Sequence, residues 1–201
     1  MLAPQGMPHT THLLYLHGFR SSPQSAKAQK MATWMQADHP EATWWCPQLP
    51  ASPRQAIDDL LLGVADWPVQ RMAVVGSSLG GFYAAWLAQH LGCPAVLINP
   101  AVHPSRDLVK YIGEQTAWHD PTQSIFFDAT YVQELQVLEA QAPSAHPNTL
   151  ALIAKGDELL DWREMLARHQ AGRVHLIEGS DHALSDFDLY KAEILEFLHL
   201  A

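Results

Sequence analysis

The stretch RMAVVGSSLGGFYAAWLAQHLG, residues 71–92, decides the fold. Its apolar run 72–75 reads as a buried strand, and the alanine-rich segment after Ser78 reads as a helix. Between them Gly76-Ser77-Ser78-Leu79-Gly80 makes a G-x-S-x-G pattern at the junction. In such an elbow the central serine takes a strained backbone, and flanking glycines avoid collision with the neighbouring strand and helix. The strain lifts the hydroxyl to the carboxyl edge of a sheet. The new helix opens with free N–H groups suited to an oxyanion. A glycine-rich turn can also cradle a phosphate, but this one lacks the G-x-G-x-x-G spacing and a following Lys-Ser or Lys-Thr. Ser78 is therefore the candidate nucleophile.

Outward from this segment, short apolar runs at 12–16, 43–46, 95–98, 150–154 and 174–177 read as further buried strands. Their continuous Leu, Val and Ile content suits a parallel sheet covered on both faces. Helical patterns fall between and after them, at 25–37, 52–67, 79–91, 161–169 and 185–198. The alternation predicts a three-layer α/β sandwich, with a mostly parallel sheet of about six strands joined by right-handed crossovers. The whole chain, 1–201, reads as one domain with a loose tail at 1–11. One stretch breaks the rhythm: residues 100–148 hold helical patterns near 105–112 and 131–142 and the aromatics Tyr111, Trp118, Phe126, Phe127 and Tyr131. That is too long for a structureless connection, so a helical cap over the sheet's carboxyl edge is expected. Trp118, Phe126 and Phe127 are its candidate substrate-binding residues.

At 201 residues, 48% hydrophobic and 16% charged, the composition is that of a globular domain with enough chain to bury a core. The net charge of −9 argues against nucleic acid as a partner, because phosphate backbones need a basic face. No signal peptide, no run long enough to span a membrane, and only Cys46 and Cys93 point to a cytoplasmic protein with free thiols. Cys93, between Gly92 and Pro94, reads as a small buried residue.

A serine hydroxyl needs a base within hydrogen-bond reach. Of twelve histidines, His182 stands out: the last strand runs into Glu178-Gly179-Ser180-Asp181-His182, a loop at the carboxyl end where open α/β sheets bind ligands. His9, His90, His119, His146, His169, His175 and His199 read as surface or packing residues. The acid that orients the imidazole is expected at Asp157, directly after strand-ending Gly156; Asp161 is the alternative, with a competing role as helix N-cap. The order Ser78, Asp157, His182 matches that of α/β-hydrolases. The oxyanion hole should combine the N–H of Leu79 with that of Phe19, in the turn His17-Gly18-Phe19 after the first strand. His17 reads as a brace for that turn. His9 and His12 form the only close histidine pair near the amino terminus, without a carboxylate beside them, and no metal is expected.

Leu14–Pro23, Pro47-Gln48-Leu49-Pro50, Gly76–Gly81, Asn99-Pro100-Ala101-Val102, Gly156–Trp162 and Glu178–Ala183 together resemble the small bacterial YqiA-type esterases of the α/β-hydrolase superfamily. The likeness runs from about Leu13 to the carboxyl terminus. It implies cleavage of carboxylic esters or acyl thioesters, with Ser78 as nucleophile, His182 as base and Asp157 as acid. No cofactor is needed, and the partner is a small acyl ester or thioester, of short to medium chain length. Rival readings are acyl-CoA thioesterase or acyltransferase chemistry, which shares every catalytic part, and a non-catalytic binding protein on the same scaffold.

Overall fold

The computed structural model describes residues 8–118, 120, 122, 124–141 and 147–200. Its elements run β1 (His12–Leu16), α1 (Ala26–Asp38), β2 (Thr43–Trp45), α2 (Pro53–Gly63), β3 (Met72–Ser77), α3 (Leu79–Leu91), β4 (Ala95–Ile98) and α4 (Pro104–Leu108). They continue β5 (Gly113–Thr116), β6 (Ser124–Phe127), α5 (Ala129–Gln141), β7 (Thr149–Ala154), α6 (Trp162–His169), β8 (Arg173–Ile177) and α7 (Lys191–Phe197).

Six strands form one parallel sheet in the order β2-β1-β3-β4-β7-β8. Alternation along each strand splits the core into two layers. Leu14, Leu16, Val74, Leu97, Ala151 and Ile153 meet α2, α3, α5 and α6 on one face. Leu13, Tyr15, Val75, Val96, Ile98 and Leu152 meet α1 and α7 on the other. Strands buried on both faces have no polar side to show, which is why they read as unbroken apolar runs. The chain begins at β1, places β2 on one side of it and crosses to β3 on the other, and because every pairing is parallel the carboxyl ends of β1, β3, β4, β7 and β8 share one edge. No helix among the described residues is long and apolar enough to cross a membrane.

The expected boundaries shift in places. β3 runs through Gly76 to Ser77, past the expected end at 75, because both residues still pair with β4. The final pattern at 185–198 is broken: a 3-10 turn at Phe187–Tyr190 precedes α7. The expected tail is partly tied down. Residues 1–7 lie outside the described residues, but Thr10 is buried and Thr11 donates its N–H to Arg71 O at 2.8 Å.

The insert holds more than helices. Between α4 and α5 lies an antiparallel hairpin that pairs Gly113 with Phe127 and Thr116 with Ser124. Its first strand, Gly113-Glu114-Gln115-Thr116, is polar and four residues long, and no Asn-Gly or Asp-Gly turn follows it. The pleat of β6 corrects two expected pocket residues. Phe127 is 1% exposed and packs its ring 5.2 Å from Phe19 and 5.6 Å from Tyr131, inside the core. Phe126 points the other way and is 59% exposed. Ala142, at the end of the expected helical pattern, lies outside the described residues; α5 is described from Ala129 to Gln141.

Phe127→Ala should therefore lose about 3–5 kcal/mol of stability, as large core truncations do. Phe126→Ala should stay within about 0.5 kcal/mol of the wild type. Urea unfolding of the two variants side by side checks the orientation of β6.

Candidate active site

Ser78 follows β3 with φ 57 and ψ −120, a region L residues rarely occupy. Hydrogen bonds on both sides keep it there. Its N–H donates to Ile98 O at 2.9 Å, and its carbonyl accepts from Gly81 N–H and Ala101 N–H at 2.9 and 3.0 Å. The elbow needs its glycines: a Cβ on Gly76 would lie 2.1 Å from Gly80 O, and one on Gly80 would lie 2.1 Å from Leu16 O.

The Ser78 hydroxyl is 3.0 Å from His182 Nε2, and His182 Nδ1 is 2.7 Å from Asp157 Oδ2. A carboxylate only accepts, so the imidazole proton sits on Nδ1 and Nε2 is left to accept from Ser78. The Asp157 side chain is 0% exposed, and its other oxygen accepts from the N–H groups of Leu159 and Leu160, both at 2.8 Å. Those bonds fix the carboxylate plane toward His182. Asp161 is elsewhere: it caps α6, accepting from Arg163 N–H at 2.9 Å. The other histidines also have structural places. His90 bonds to Trp86 O, His175 to Glu193, and His169 is buried. His119 and His146 lie outside the described residues.

The turn after β1 presses against the serine, since a Cβ on Gly18 would lie 3.2 Å from Ser78 Cβ. His17 is buried and holds that turn from both nitrogens. Its Nε2 accepts from Leu49 N–H at 3.1 Å, which leaves Nδ1–H to donate to Gly18 O at 3.0 Å. Among the described residues, the N–H groups of Phe19 and Leu79 donate to no protein acceptor, so both are free for an oxyanion.

Two cavities share the turn at 17–21. The larger, about 610 Å³, is lined by Ser78 and His182 together with Tyr111, Trp118, Leu159 and Phe187. The smaller, about 240 Å³, is lined by Phe19, Leu49, Leu79, Tyr83, Ala117 and Ile125. Trp118 is thus on a cavity wall, whereas Phe126 and Phe127 line neither; the hairpin contributes Ile125 instead. Neither thiol competes as a nucleophile. Burial pushes both Cys46 and Cys93 up to about 12, which keeps them protonated at neutral pH.

Two features escaped the sequence reading. Asn99, 0% exposed with φ 41, accepts from Ala154 N–H at 2.8 Å and donates to the carbonyls of Asp181 and His182 at 3.0 and 3.1 Å. It ties the end of β7, which leads to Asp157, to the loop of His182. Its signal was a lone amide ending the apolar run of β4. Glu158 accepts from His182 N–H at 3.0 Å, a second tie between the two loops. The potential metal ligands also regroup: His9 gathers with His39 and Glu41, their ligating atoms within 4.8 Å of one another, before β1 and β2 and away from Ser78. His12 packs on Trp67 instead.

Asn99→Ala should cost roughly 1–3 kcal/mol, because it strands the Ala154 N–H in the interior. Chemical denaturation measures that loss.

Solved structures of low sequence identity share this architecture. A proposed hydrolase from Agrobacterium vitis S4 superposes with a TM-score of 0.75 at 17% identity, over 95% of this chain and 91% of its own. Mouse alpha/beta hydrolase domain-containing protein 10 gives 0.68 at 17% identity, over 94% and 91%. Est1E from Butyrivibrio proteoclasticus, solved with ferulic acid bound, gives 0.67 at 13% identity, over 97% and 91%. The sheet order, the elbow after β3 and these superpositions make this an α/β-hydrolase fold. Residues 12–199 match the sequence profile of the Uncharacterised protein family UPF0227, the YqiA family, and the chain belongs to it.

Proposed function

We propose that the protein is a serine esterase that cleaves carboxylic esters or thioesters of short- to medium-chain acids. The observation that carries this reading is the continuous relay of 3.0 and 2.7 Å from Ser78 through His182 to buried Asp157. A hydroxyl, an imidazole with its proton on the far nitrogen, and a fixed carboxylate are the three parts that nucleophilic acyl transfer requires.

In the reaction, Ser78 Oγ bonds to the acyl carbon while its proton passes to His182 Nε2. The carbonyl oxygen becomes an oxyanion and accepts from the N–H groups of Phe19 and Leu79. Collapse breaks the bond to the leaving oxygen or sulfur, which departs with the proton from His182. Water, deprotonated by the same imidazole, then attacks the acyl-enzyme and frees the acid and Ser78. Asp157 balances the charge on the imidazolium in both halves. His182 lines the larger cavity, so the leaving group is assigned there, with Trp118 on its wall. The acyl chain is assigned to the smaller cavity beside Leu79, whose roughly 240 Å³ sets the short to medium length. Est1E, whose structure holds ferulic acid, lends support to a small acid as product. The unpaired thiols Cys46 and Cys93 support the cytoplasm as its compartment.

Ser78→Ala should lose on the order of 10⁴–10⁶ in turnover of a p-nitrophenyl ester and all labelling by a fluorophosphonate probe, with its unfolding curve unchanged. Retention of a tenth of the wild-type rate would sink the assignment, and a wild type that neither labels nor turns over would leave a binding protein on the scaffold.

Asp157→Asn should cost on the order of 10²–10⁴ in kcat, because an amide no longer balances the imidazolium. Asp161→Asn should keep the rate, since asparagine caps a helix as well as aspartate. The opposite ranking in steady-state assays would transfer the acid role to Asp161.

A further inference from the structure

The chain carries 21 acidic and 12 basic side chains other than histidine, yet the large cavity beside Ser78 has the opposite balance. Arg20, Lys27, Lys30 and Lys110 line it, against Asp107 and Glu158. Asp107 is paired with Arg106 at 2.8 Å, whereas Glu158 accepts from His182 N–H at 3.0 Å and keeps its charge, which leaves one unpaired carboxylate in the lining. Lys30 pairs with Asp188 at 2.5 Å, but among the described residues Arg20, Lys27 and Lys110 have no carboxylate within 4.0 Å.

Each of the three is held without being neutralised. Arg20 donates to Thr116 O and Oγ1 at 2.5 and 2.9 Å and lies 4.2 Å from the centroid of the Trp118 ring. Lys27 donates to Ala183 O, next to His182. Lys110 sits 5.2 Å from the centroid of the Tyr111 ring. Carbonyls and ring faces orient a cation but leave its charge in place. Elsewhere most basic groups close ion pairs: Lys155 with Glu178, Arg106 with Glu164, Arg173 with Glu193 and Lys191 with Asp38. Burial pushes the Lys27 ammonium down to about 8, against the pull of Asp181 and Asp157, so an arriving anion would restore solvation it has lost. One more group in the wall lacks a partner. Tyr15 lines the same cavity, and its buried hydroxyl has no hydrogen-bond partner among the described residues.

We propose that the large cavity contains an anion subsite, built on Arg20, Lys27 and Lys110, that selects esters whose leaving alcohol or thiol carries a phosphate or carboxylate. The proposal rests on the assignment of Ser78 as nucleophile and His182 as the donor to the leaving group. The leaving side is chosen because His182 lines the cavity that holds the cations, whereas the smaller cavity is lined mostly by apolar residues, with His17, Ser21 and Gln48 among them, and has only Arg20 of the four cations. The bond that breaks is the ester linkage alone: water adds to the acyl carbon, the leaving oxygen or sulfur takes the proton, and the phosphate or carboxylate departs unchanged. The unpaired positive charges shorten the search for an anionic substrate as well as holding it, because an attractive field raises the encounter rate.

The test uses meta-butyryloxybenzoate, meta-butyryloxyphenyl phosphate and the uncharged meta-butyryloxybenzamide, which share one acyl group and one ring. The wild type should favour the anionic esters at least about tenfold in kcat/KM at low ionic strength, and the preference should shrink as salt rises to about 0.5 M. Lys27→Gln and Lys110→Gln should each lower the ratio of anionic to uncharged rates several-fold, and Lys27→Arg should restore it. If one variant fails to fold, the other and the salt dependence still decide. Preference for the phosphate alone identifies that anion as the one selected. Equal rates on all three esters at both ionic strengths overturn the subsite. Binding of the intact esters to Ser78→Ala, read by calorimetry, separates the two ideas. An anion preference there supports the subsite even if Ser78 proves not to be the nucleophile, and its absence overturns the subsite even if the esterase reading stands.

Discussion

Two backbone contacts that leave no room for a methyl group set the geometry of this protein. Gly76 lies against the carbonyl of Gly80, and Gly80 lies against the carbonyl of Leu16, so β3, α3 and β1 meet at main-chain distance. That approach forces the chain to reverse in a single residue, and Ser78 takes the positive φ that the reversal needs. It also brings the turn after β1 under the elbow. The free N–H groups of Phe19 and Leu79 then belong to two separate segments that both line the smaller cavity. The strain at Ser78 is small beside the burial of the surrounding strands, which are fully covered on both sides.

Asp157 and His182 are held by a different device. Asp157 and His182 stand on neighbouring loops after β7 and β8, and loops by themselves are poor at keeping ångström precision. Asn99 supplies it from the position just after β4, in the middle of the sheet, with one acceptor and two donor bonds. Precision at the sheet edge is thus borrowed from a fully buried amide among the central strands. Glu158 adds a tie at the surface, where solvent competes and the bond counts for less.

Strand and elbow positions were legible because a parallel sheet covered on both faces leaves short apolar runs bounded by turn residues. Ser78, Asp157 and His182 stood out because each lies three to five residues past the end of such a run. The insert was not. Phe126 and Phe127 are equally aromatic, and only the pleat of a strand with little periodicity of its own decides which one enters the core. Gly113-Glu114-Gln115-Thr116 owes its strand conformation to the partner segment rather than to propensity. Asn99 escaped because a buried amide looks like any loop residue until its partners, 55 and 82 positions away, are known. The basic lining of the cavity escaped for the same reason: Arg20, Lys27 and Lys110 are scattered in a chain that is acidic overall.

Among the described residues, the hairpin β5–β6 is tied to the body near the cavity by the bonds from Arg20 to Thr116 and from Trp118 N–H to Arg20 O. It brings Ala117, Trp118 and Ile125 to the cavities but none of the relay. The Ser78–His182–Asp157 relay and the hairpin side chains that line the cavities therefore stand on separate stretches of chain. A change of side chain in the hairpin can reshape the cavity walls while every hydrogen bond of the relay stays in place.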